Sequence, residues 1–283
     1  MILRIKILEP LHIGAKQISG FEDIGGDRAI AIPMPSTALG ALATALGVTR
    51  GEDAFEALGC GRVWGPLIEI EGAKYFLSEG RLYAVSDVKR YLEAVKNPRV
   101  EPPRPRYIVE TLTRPGVRLE NKLARNLYHV VYTWIRGKNG KPLAPGSISV
   151  LYYIECNVNG VRELVRVGGE GRVAVVEAVG SGEGPAKCLE GVLLSPLLFY
   201  SQGPYAEVGV AKGLEDVEEI YGVLTETWPP KVKSTYVGLG FSIGLKRRRA
   251  VYQALPPGTA LKLKREAVAT GLHSERGYGS VLC

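Results

Sequence analysis

The sequence lacks the residue patterns on which several large enzyme classes depend. It has only three histidines, and no HExxH or HxH pattern is present, so the usual ligands of a hydrolytic metal centre are missing. No GxxxxGK[ST] motif occurs, which excludes a P-loop. Two GxG pairs, at residues 59–61 and 238–240, have their third glycine one residue late and no βαβ context, which excludes a dinucleotide site. We therefore expect no cofactor, no metal and no catalytic residue.

CxxC motifs and long apolar runs are also missing. None of the four cysteines belongs to a CxxC pair, and this spacing argues against a structural zinc site. We expect free thiols. The alternative is disulfide bonds of the kind found in cytosolic proteins of thermophiles. No apolar run approaches the roughly 18 residues that span a bilayer. The first residues alternate charge with apolar side chains, unlike a signal peptide. We expect a cytoplasmic protein that does not contact membranes.

The charge is segregated along the chain. Residues 99–141 hold ten basic and three acidic residues, and residues 231–276 hold ten basic and two acidic residues, although the whole chain has a net charge of only +7. The rest of the chain is therefore acidic. Segregation of this kind points to a polyanionic partner, although a solvated basic patch without a partner remains an alternative.

Local patterns predict an alternation of strands and short helices. Residues 2–8 alternate as a half-buried strand. Helices are predicted from an N-cap at Ser36 to Gly47, at residues 52–58, at 87–96 and, as an acidic amphipathic helix, at 214–224. Further strands are expected around residues 236–243, 250–255 and 260–265, and a hairpin at 164–179 that turns at the glycines of 168–171.

A proline-rich and basic segment follows the third predicted helix. Five prolines lie between residues 98 and 115, so no regular helix can form there and we expect an extended arm. Residues 126–135 and 147–158 are rich in Val, Ile and Tyr, and the Asn139-Gly140 pair lies between them. We predict that they pair as a long hairpin with a basic tip at residues 136–141.

Several side chains in these segments allow two interpretations. His12 follows the first strand and is interpreted as a hydrogen-bonded loop residue rather than an acid–base group. Tyr128, Tyr132 and Trp134 lie on one strand face, where core packing is favoured over base stacking. The run Lys246, Arg247, Arg248 and Arg249 either contacts phosphates or faces water.

Five motifs together resemble the RAMP superfamily of CRISPR proteins, and specifically the subunit of the type III-B (Cmr) effector complex that holds the five-prime handle of the guide RNA. They are Pro35-Ser36-x-x-x-Gly40, Trp64-x-Pro66-Leu67, Gly168-Gly169-Glu170-x-Arg172, Pro256-Pro257-Gly258-Thr259 and the glycine-rich loop 271–279. Each motif is weak alone, and their order along the chain carries the resemblance.

The resemblance implies an α+β fold of two ferredoxin-like (RRM-like) domains with antiparallel sheets, the first carrying long insertions and a basic β-hairpin arm. The N-terminal RAMP domain would span residues 1–184, with the arm at about 99–141, and the C-terminal domain with the glycine-rich loop would span residues 185–283. It also implies a non-catalytic subunit that binds the five-prime tag of the crRNA, the large polymerase-like subunit and the backbone RAMP subunit.

By the same resemblance, the RNA-binding residues are the basic side chains of the arm, of the Gly168 loop and of the C-terminal segment. They are Arg114, Arg118, Lys122, Arg125, Arg136, Lys138, Arg172, Lys246, Arg247, Arg248, Arg249, His273 and Arg276. Some RAMP relatives instead cleave guide precursors without a metal. That alternative requires His12 or His273 beside a Tyr, a Lys or a second His.

Overall fold

The structure is a computed structural model that describes residues 1–14, 30–48, 53–120, 123–137, 139–158, 160–169, 171–180, 182, 184–201, 206–225, 229–239, 241–242 and 247–283. For residues 117–120, 123–128, 241–242 and 247–248 it describes the backbone only.

These residues form short helices and many strands. The helices are α1 (Pro35–Ala45), α2 (Ala54–Ala57) and α3 (Val88–Lys96). The strands of the first half are β1 (Ile2–Ile7), β2 (Arg62–Ile70), β3 (Ala73–Ser78), β4 (Arg81–Ala84), β5 (Tyr107–Glu120), β6 (Leu123–Gly137), β7 (Ile148–Glu155), β8 (Val161–Arg166) and β9 (Val173–Val179). Those of the second half are β10 (Cys188–Leu193), β11 (Leu197–Phe199), β12 (Val217–Gly222), β13 (Thr235–Gly238), β14 (Phe241–Ser242), β15 (Arg247–Arg248), β16 (Val251–Leu255), β17 (Ala260–Ala267) and β18 (Val281–Leu282).

The first half is one nine-stranded sheet in the order β6-β5-β4-β3-β2-β7-β1-β9-β8. All of its pairings are antiparallel. Strand β1 lies near the middle, where Leu3, Ile5 and Ile7 pack under α1. The opposite face meets α3 and the second half through a separate apolar cluster. Successive side chains of β1 therefore alternate between a face that packs under α1 and a face that meets α3 and the second half.

Helix α1 begins at a proline. Pro35 occupies the first helical turn, where its missing N–H costs nothing and its fixed φ suits the helix. Met34 is the N-cap and offers no side-chain acceptor, so the prediction of a Ser36 cap is wrong. The Ser36 hydroxyl instead accepts a hydrogen bond from the Tyr278 hydroxyl at 3.0 Å. The helix ends before Gly47, as predicted, with Gly47 at φ 72°.

The long hairpin differs from the predicted one. Strand β6 pairs with β5 from Tyr107↔Gly137 to Glu120↔Leu123, whereas β7 lies between β1 and β2. Arg136 and residues 139–141 are therefore at the open end of the hairpin, and residues 121–122, between its two strands, lie outside the described residues. Pro115 is tolerated inside β5 because β4 pairs with this strand only at Tyr107 and Ile108, so no ladder on that side needs its N–H.

The second half consists of smaller antiparallel sheets. Their orders are β12-β17-β10-β18, β11-β16-β13 and β14-β15. The acidic helix predicted at residues 214–224 is wrong, because this segment contains β12. Its acidic residues find partners across the strands: Glu218 pairs with Lys262 at 2.7 Å and Asp216 with Arg265 at 2.9 Å. The charge pattern thus reflects cross-strand pairing and not a helix face.

The architecture confirms the α+β class with antiparallel sheets. The predicted hairpin at 164–179 is present, since β8 and β9 pair from Val161↔Ala178 to Arg166↔Val173. The helices predicted at 52–58 and 87–96 are also present, as α2 and α3. None of the described helices is both long and apolar enough to cross a membrane.

The expectation of free thiols is wrong, because all four cysteines are paired. Cys60 bonds Cys156, and Cys188 bonds Cys283. Strand pairing explains the first bond: Cys60 precedes β2 and Cys156 follows β7, and Arg62 pairs with Glu155 across these strands. Partners 96 residues apart become neighbours through the sheet register, which local sequence does not reveal.

We predict that these disulfides stabilise the fold. Replacing Cys60 and Cys156 together by serine should lower the free energy of unfolding by roughly 2–4 kcal/mol, since the bond closes a long loop in the unfolded chain. Urea unfolding with and without dithiothreitol measures the effect, and a variant with all four cysteines replaced should not respond to the reductant. Alkylation of the unfolded, unreduced protein by iodoacetamide would contradict the pairing.

Candidate functional site

Two predicted arginines meet at the base of the long hairpin. The Arg172 guanidinium carbon lies 4.4 Å from the centroid of the Tyr132 ring, and that of Arg114 lies 5.9 Å from it. Tyr132 is buried on β6, whereas Arg114 is exposed on β5. The aromatic ring therefore orients two cations by cation–π contact. We call Glu9, His12, Arg114, Tyr132 and Arg172 the hairpin-base cluster.

Glu9 holds Arg172 in this position. A carboxylate oxygen of Glu9 accepts from Arg172 Nη1 at 2.6 Å, and the other accepts from the Val173 N–H at 2.9 Å. The hydrogen bond from Arg172 holds the pKa of Glu9 below its ordinary value, and contacts with Tyr132 and Glu9 raise the pKa of Arg172. The buried Nε of Arg172 has no hydrogen-bond partner in the described part of the chain. One donor of this guanidinium is thus uncommitted.

His12 is a hydrogen-bonded loop residue, as the favoured interpretation predicted. Its Nδ1 lies 2.8 Å from the Val131 carbonyl oxygen, and its ring meets Tyr132 edge-on at 5.9 Å. A carbonyl only accepts, so Nδ1 carries the proton. The loop at Gly168 and Gly169 lies directly on this residue: a Cβ at Gly168 would come within 2.4 Å of the His12 carbonyl oxygen. Glycine is required here because the two backbones touch.

A second group surrounds Arg276 in the C-terminal loop. Its guanidinium pairs with Asp53 at 2.7 Å, with Glu56 at 2.9 Å and with Glu275 at 3.4 Å, and it lies 4.9 Å from the Phe55 ring centroid. Asp53 also caps α2 by accepting from the Phe55 N–H. Burial opposes the charge on Asp53, but the contacts with Arg276 outweigh it, and the net pKa of Asp53 is lowered. Arg276 thus fastens the loop to α2.

The same loop presents a histidine beside a tyrosine. His273 has φ 59° and its Nε2 lies 3.0 Å from the Tyr252 hydroxyl oxygen. Tyr278 is buried and reaches the start of α1 through Ser36. The charge of Arg249 acts on both Asp53 and Tyr278, so this arginine belongs to the same surroundings. We call Ser36, Asp53, Arg249, His273, Arg276 and their contacts Tyr252 and Tyr278 the C-terminal loop cluster.

The remaining predicted residues lie apart from the two clusters or outside the described residues. Arg136 is at the open end of the hairpin, opposite Ile108, where it pairs with Glu110 at 2.7 Å. Arg118 and Arg125 lie on the outer part of the hairpin, and Arg247 and Arg248 form β15, all with backbone only. Lys122, Lys138 and Lys246 lie outside the described residues.

A short segment joins the two clusters. Thr133 Oγ1 on β6 lies 3.3 Å from the Ile30 carbonyl oxygen and 3.4 Å from that of Ala31. The chain then passes Pro33, whose carbonyl accepts from the buried Tyr152 hydroxyl at 2.7 Å, and enters α1. Residues 30–35 therefore connect the base of the hairpin with the C-terminal loop cluster.

Sequence reasoning missed the anionic partners. Glu9, Asp53 and Glu56 orient the arginines, yet Glu9 is 163 residues from Arg172 and Asp53 is 223 residues from Arg276. No spacing signal marks such pairs. Tyr132 and Trp134 are buried, in line with the packing interpretation, and the Trp134 indole N–H donates to the Leu143 carbonyl at 3.0 Å. The side chain of Tyr128 lies outside the described residues.

The described side chains offer no site for a metal ion. Within the described ranges, no group of at least three His, Cys, Asp or Glu side chains could hold one. The two clusters combine arginines, aromatic rings and glycine loops instead. Arginines and aromatic rings bind and orient an anionic ligand by charge and stacking.

Comparison with known proteins identifies the fold. No protein-family model and no curated protein matches the chain. Two chains in solved structures are similar to it. One belongs to the type III-B Cmr-beta complex bound to cognate target RNA and AMPPnP, in state 1. Its TM-score is 0.61 at 18% identity, and the match covers 93% of this chain and 86% of that chain. A chain of the Cmr-beta complex bound to cognate target RNA matches at TM-score 0.61 and 20% identity over the same shares. The chain therefore shares the fold of a Cmr-beta component, as its motifs predicted.

We predict that the two ion-pair groups make stability depend on acid pH. The pKa values of the Glu9 and Asp53 carboxyl groups are lower in the folded state. Their contribution to the free energy of unfolding is therefore complete when the pH is above their pKa values in the unfolded chain, about 4.3 and 3.9. It is lost as the pH falls through the pKa values of the folded state. The variant Glu9→Gln with Asp53→Asn should be less stable than the wild type at neutral pH, and this difference should shrink at about pH 3.

Urea unfolding at both pH values measures this dependence. Glu163→Gln, which removes an exposed carboxylate on β8, is the matched control and should unfold like the wild type at either pH. A wild-type advantage of constant size across the pH range would show that these carboxylates are not preferentially ionised in the folded state.

Proposed function

We propose that this chain is a crRNA-binding subunit of a type III-B CRISPR effector complex. In this role it holds the five-prime tag of the guide RNA and joins the large polymerase-like subunit to the backbone RAMP subunit, without catalysis of its own. The observation that carries the proposal is the fold shared with a Cmr-beta component over 93% of this chain. The order of the sequence motifs supports the more specific assignment to the subunit that holds the five-prime tag.

We further propose that the chain consists of two RAMP domains, at residues 1–184 and 185–283. In the first, the strands β9-β1-β7-β2 follow one another in the sheet, with α1 connecting β1 to β2. This is the strand order of a ferredoxin-like sheet, in which the first and third strands are central. Strands β3 to β6 and helix α3 are then an insertion between its second and third strands, and the hairpin β5-β6 is the arm.

The hairpin supports a grip on single-stranded RNA. Beyond Ile108, β5 pairs only with β6 among the described strands, and β6 bridges Leu11 at Thr133. The outer parts of the two strands, past this bridge, form the arm. Arg118 and Arg125 lie on this outer part. Arg114 is exposed at its base, and Arg172 lies there against the Tyr132 ring. Arginines near an aromatic ring bind both phosphates and base faces.

The C-terminal loop cluster has a different task in this proposal. Arg276 is surrounded by three carboxylates, so its charge is largely offset within the protein. We assign it to shaping the loop, whose N–H groups at Leu272, Gly277 and Gly279 already donate within the protein. Arg249 and His273 are assigned to the RNA backbone. Lys246, Arg247 and Arg248 would extend this contact.

The arm provides a test by salt dependence. Arg114→Ala with Arg118→Ala should weaken binding of guide-repeat RNA and reduce the slope of log K against log salt by about 1.4, because each lost contact with a single strand removes about 0.7. Arg162→Ala with Arg166→Ala, which removes two exposed arginines from β8 at the other edge of the sheet, is the matched control. An unchanged affinity and slope in the arm variant would reject contact between arm and RNA.

A guide-processing endoribonuclease is the second candidate, and one observation favours it. His273 Nε2 lies 3.0 Å from the Tyr252 hydroxyl oxygen, and His12 lies beside Tyr132, so each histidine has the neighbour that this activity requires. We expect no cleavage when the protein is incubated with repeat RNA in EDTA. Specific cleavage that is lost in His12→Ala or His273→Ala would replace the binding-only proposal.

A further inference from the structure

A cavity of about 250 Å³ lies between the two halves of the chain. Its lining is mostly apolar and includes six prolines: Pro33, Pro35, Pro66, Pro196, Pro256 and Pro257. Tyr236 lies at the exposed side of the lining, with 53% of its surface accessible. Among the described lining residues, Glu79 is the one that carries a charge. An apolar chamber with a single ionised group is typical of a binding site for a small, partly polar molecule.

The cavity adjoins the C-terminal loop cluster. Met34 and Pro35, at the start of α1, form part of its wall. So does the fully buried Ser195, whose hydroxyl donates to the Gly277 carbonyl at 2.7 Å and accepts from the Ser280 N–H at 3.0 Å. The wall of the cavity is thus bonded directly to the glycine-rich loop. The cavity and the loop whose His273 is assigned to RNA therefore share a wall.

The charged group of the cavity lies in a hairpin turn. Glu79 and Gly80 connect β3 and β4 with φ 48° and 72°, the positive values that a two-residue hairpin turn requires. The Glu79 carboxylate pairs with Lys233, which precedes β13. The pair places an acceptor at the cavity and a cation beside it.

From these features we infer that the cavity receives one nucleobase turned out of the bound RNA strand, and that it selects a base with an amino group on its pairing edge. The inference rests on the proposed function. Proline rings and Tyr236 offer the flat apolar contact that an unstacked base requires. The Glu79 carboxylate accepts from the amino group of cytosine, adenine or guanine. Uracil presents carbonyl oxygens flanking its single N–H, and these repel a carboxylate.

An apolar side chain of a partner protein is a poorer occupant. It would displace water from the Glu79–Lys233 pair and give the carboxylate no donor in exchange, which is unfavourable even for a paired carboxylate. Lys233 suits RNA as well, because a cation at the mouth lies where the phosphates flanking an inserted base would be.

Cytosine and uracil differ mainly at the amino edge, so short single-stranded oligo(C) and oligo(U) are a matched pair of probes. Binding of each to the full chain is measured by fluorescence anisotropy at one salt concentration. We expect the wild type to bind oligo(C) more tightly by at least about fivefold, the lower end of one good base contact. In Glu79→Gln the preference should disappear or reverse, because an amide also donates to a carbonyl. Glu163→Gln on β8 should keep it.

The variant Ala31→Trp fills the cavity from its wall, and it should bind both oligonucleotides equally and more weakly. If that variant does not fold, as judged by its thermal unfolding, Glu79→Gln decides the question. Equal binding of both oligonucleotides by the wild type would overturn the inference while leaving RNA binding intact, whereas no binding of either would overturn the proposed function too. If Ala31→Trp abolishes docking of the large subunit but keeps the cytosine preference, the cavity receives a protein side chain and the inference is wrong.

Discussion

One buried hydroxyl group joins the halves of this molecule. Tyr91 of α3 is fully buried, and its hydroxyl lies 2.7 Å from Ser78 Oγ at the end of β3. It donates to the Gly258 carbonyl at 2.9 Å and accepts from the Leu224 N–H at 3.2 Å. Gly258 has φ 87°, and a Cβ there would lie 2.2 Å from Ser78 Oγ. The joint therefore requires glycine, and an unsatisfied group in this place would be expensive.

The candidate site depends on this joint because its two clusters come from different halves. The hairpin-base cluster belongs to the nine-stranded sheet, whereas His273 and Arg276 belong to the C-terminal loop, which reaches the first half through Asp53 and Ser36. Carboxylates hold the arginines in both clusters and reduce the net charge available to a ligand. In return, the guanidinium groups are already oriented, so less conformational entropy would be lost when a ligand binds.

Prediction from the sequence succeeded where a pattern is local. The alternation of β1, the helices at α1, α2 and α3, and the hairpin of β8 and β9 follow from periodicity and glycine turns that a few neighbouring residues specify. It failed where the partner is distant. Strand β6 has the same Val- and Tyr-rich character whether it pairs with β5 or β7, and the acidic residues of β12 resemble a helix face until Lys262 and Arg265 are placed opposite them.

By itself, the sequence determined the class of the fold, because strand alternation and glycine turns are properties of short segments. Only the tertiary structure decided which cysteines pair, which carboxylate orients each arginine, and that Tyr132 lies beneath both Arg114 and Arg172. It also decided that prolines from both halves enclose a cavity with Glu79. These relations join residues far apart in the chain, and the strand register and the packing of the halves bring them together.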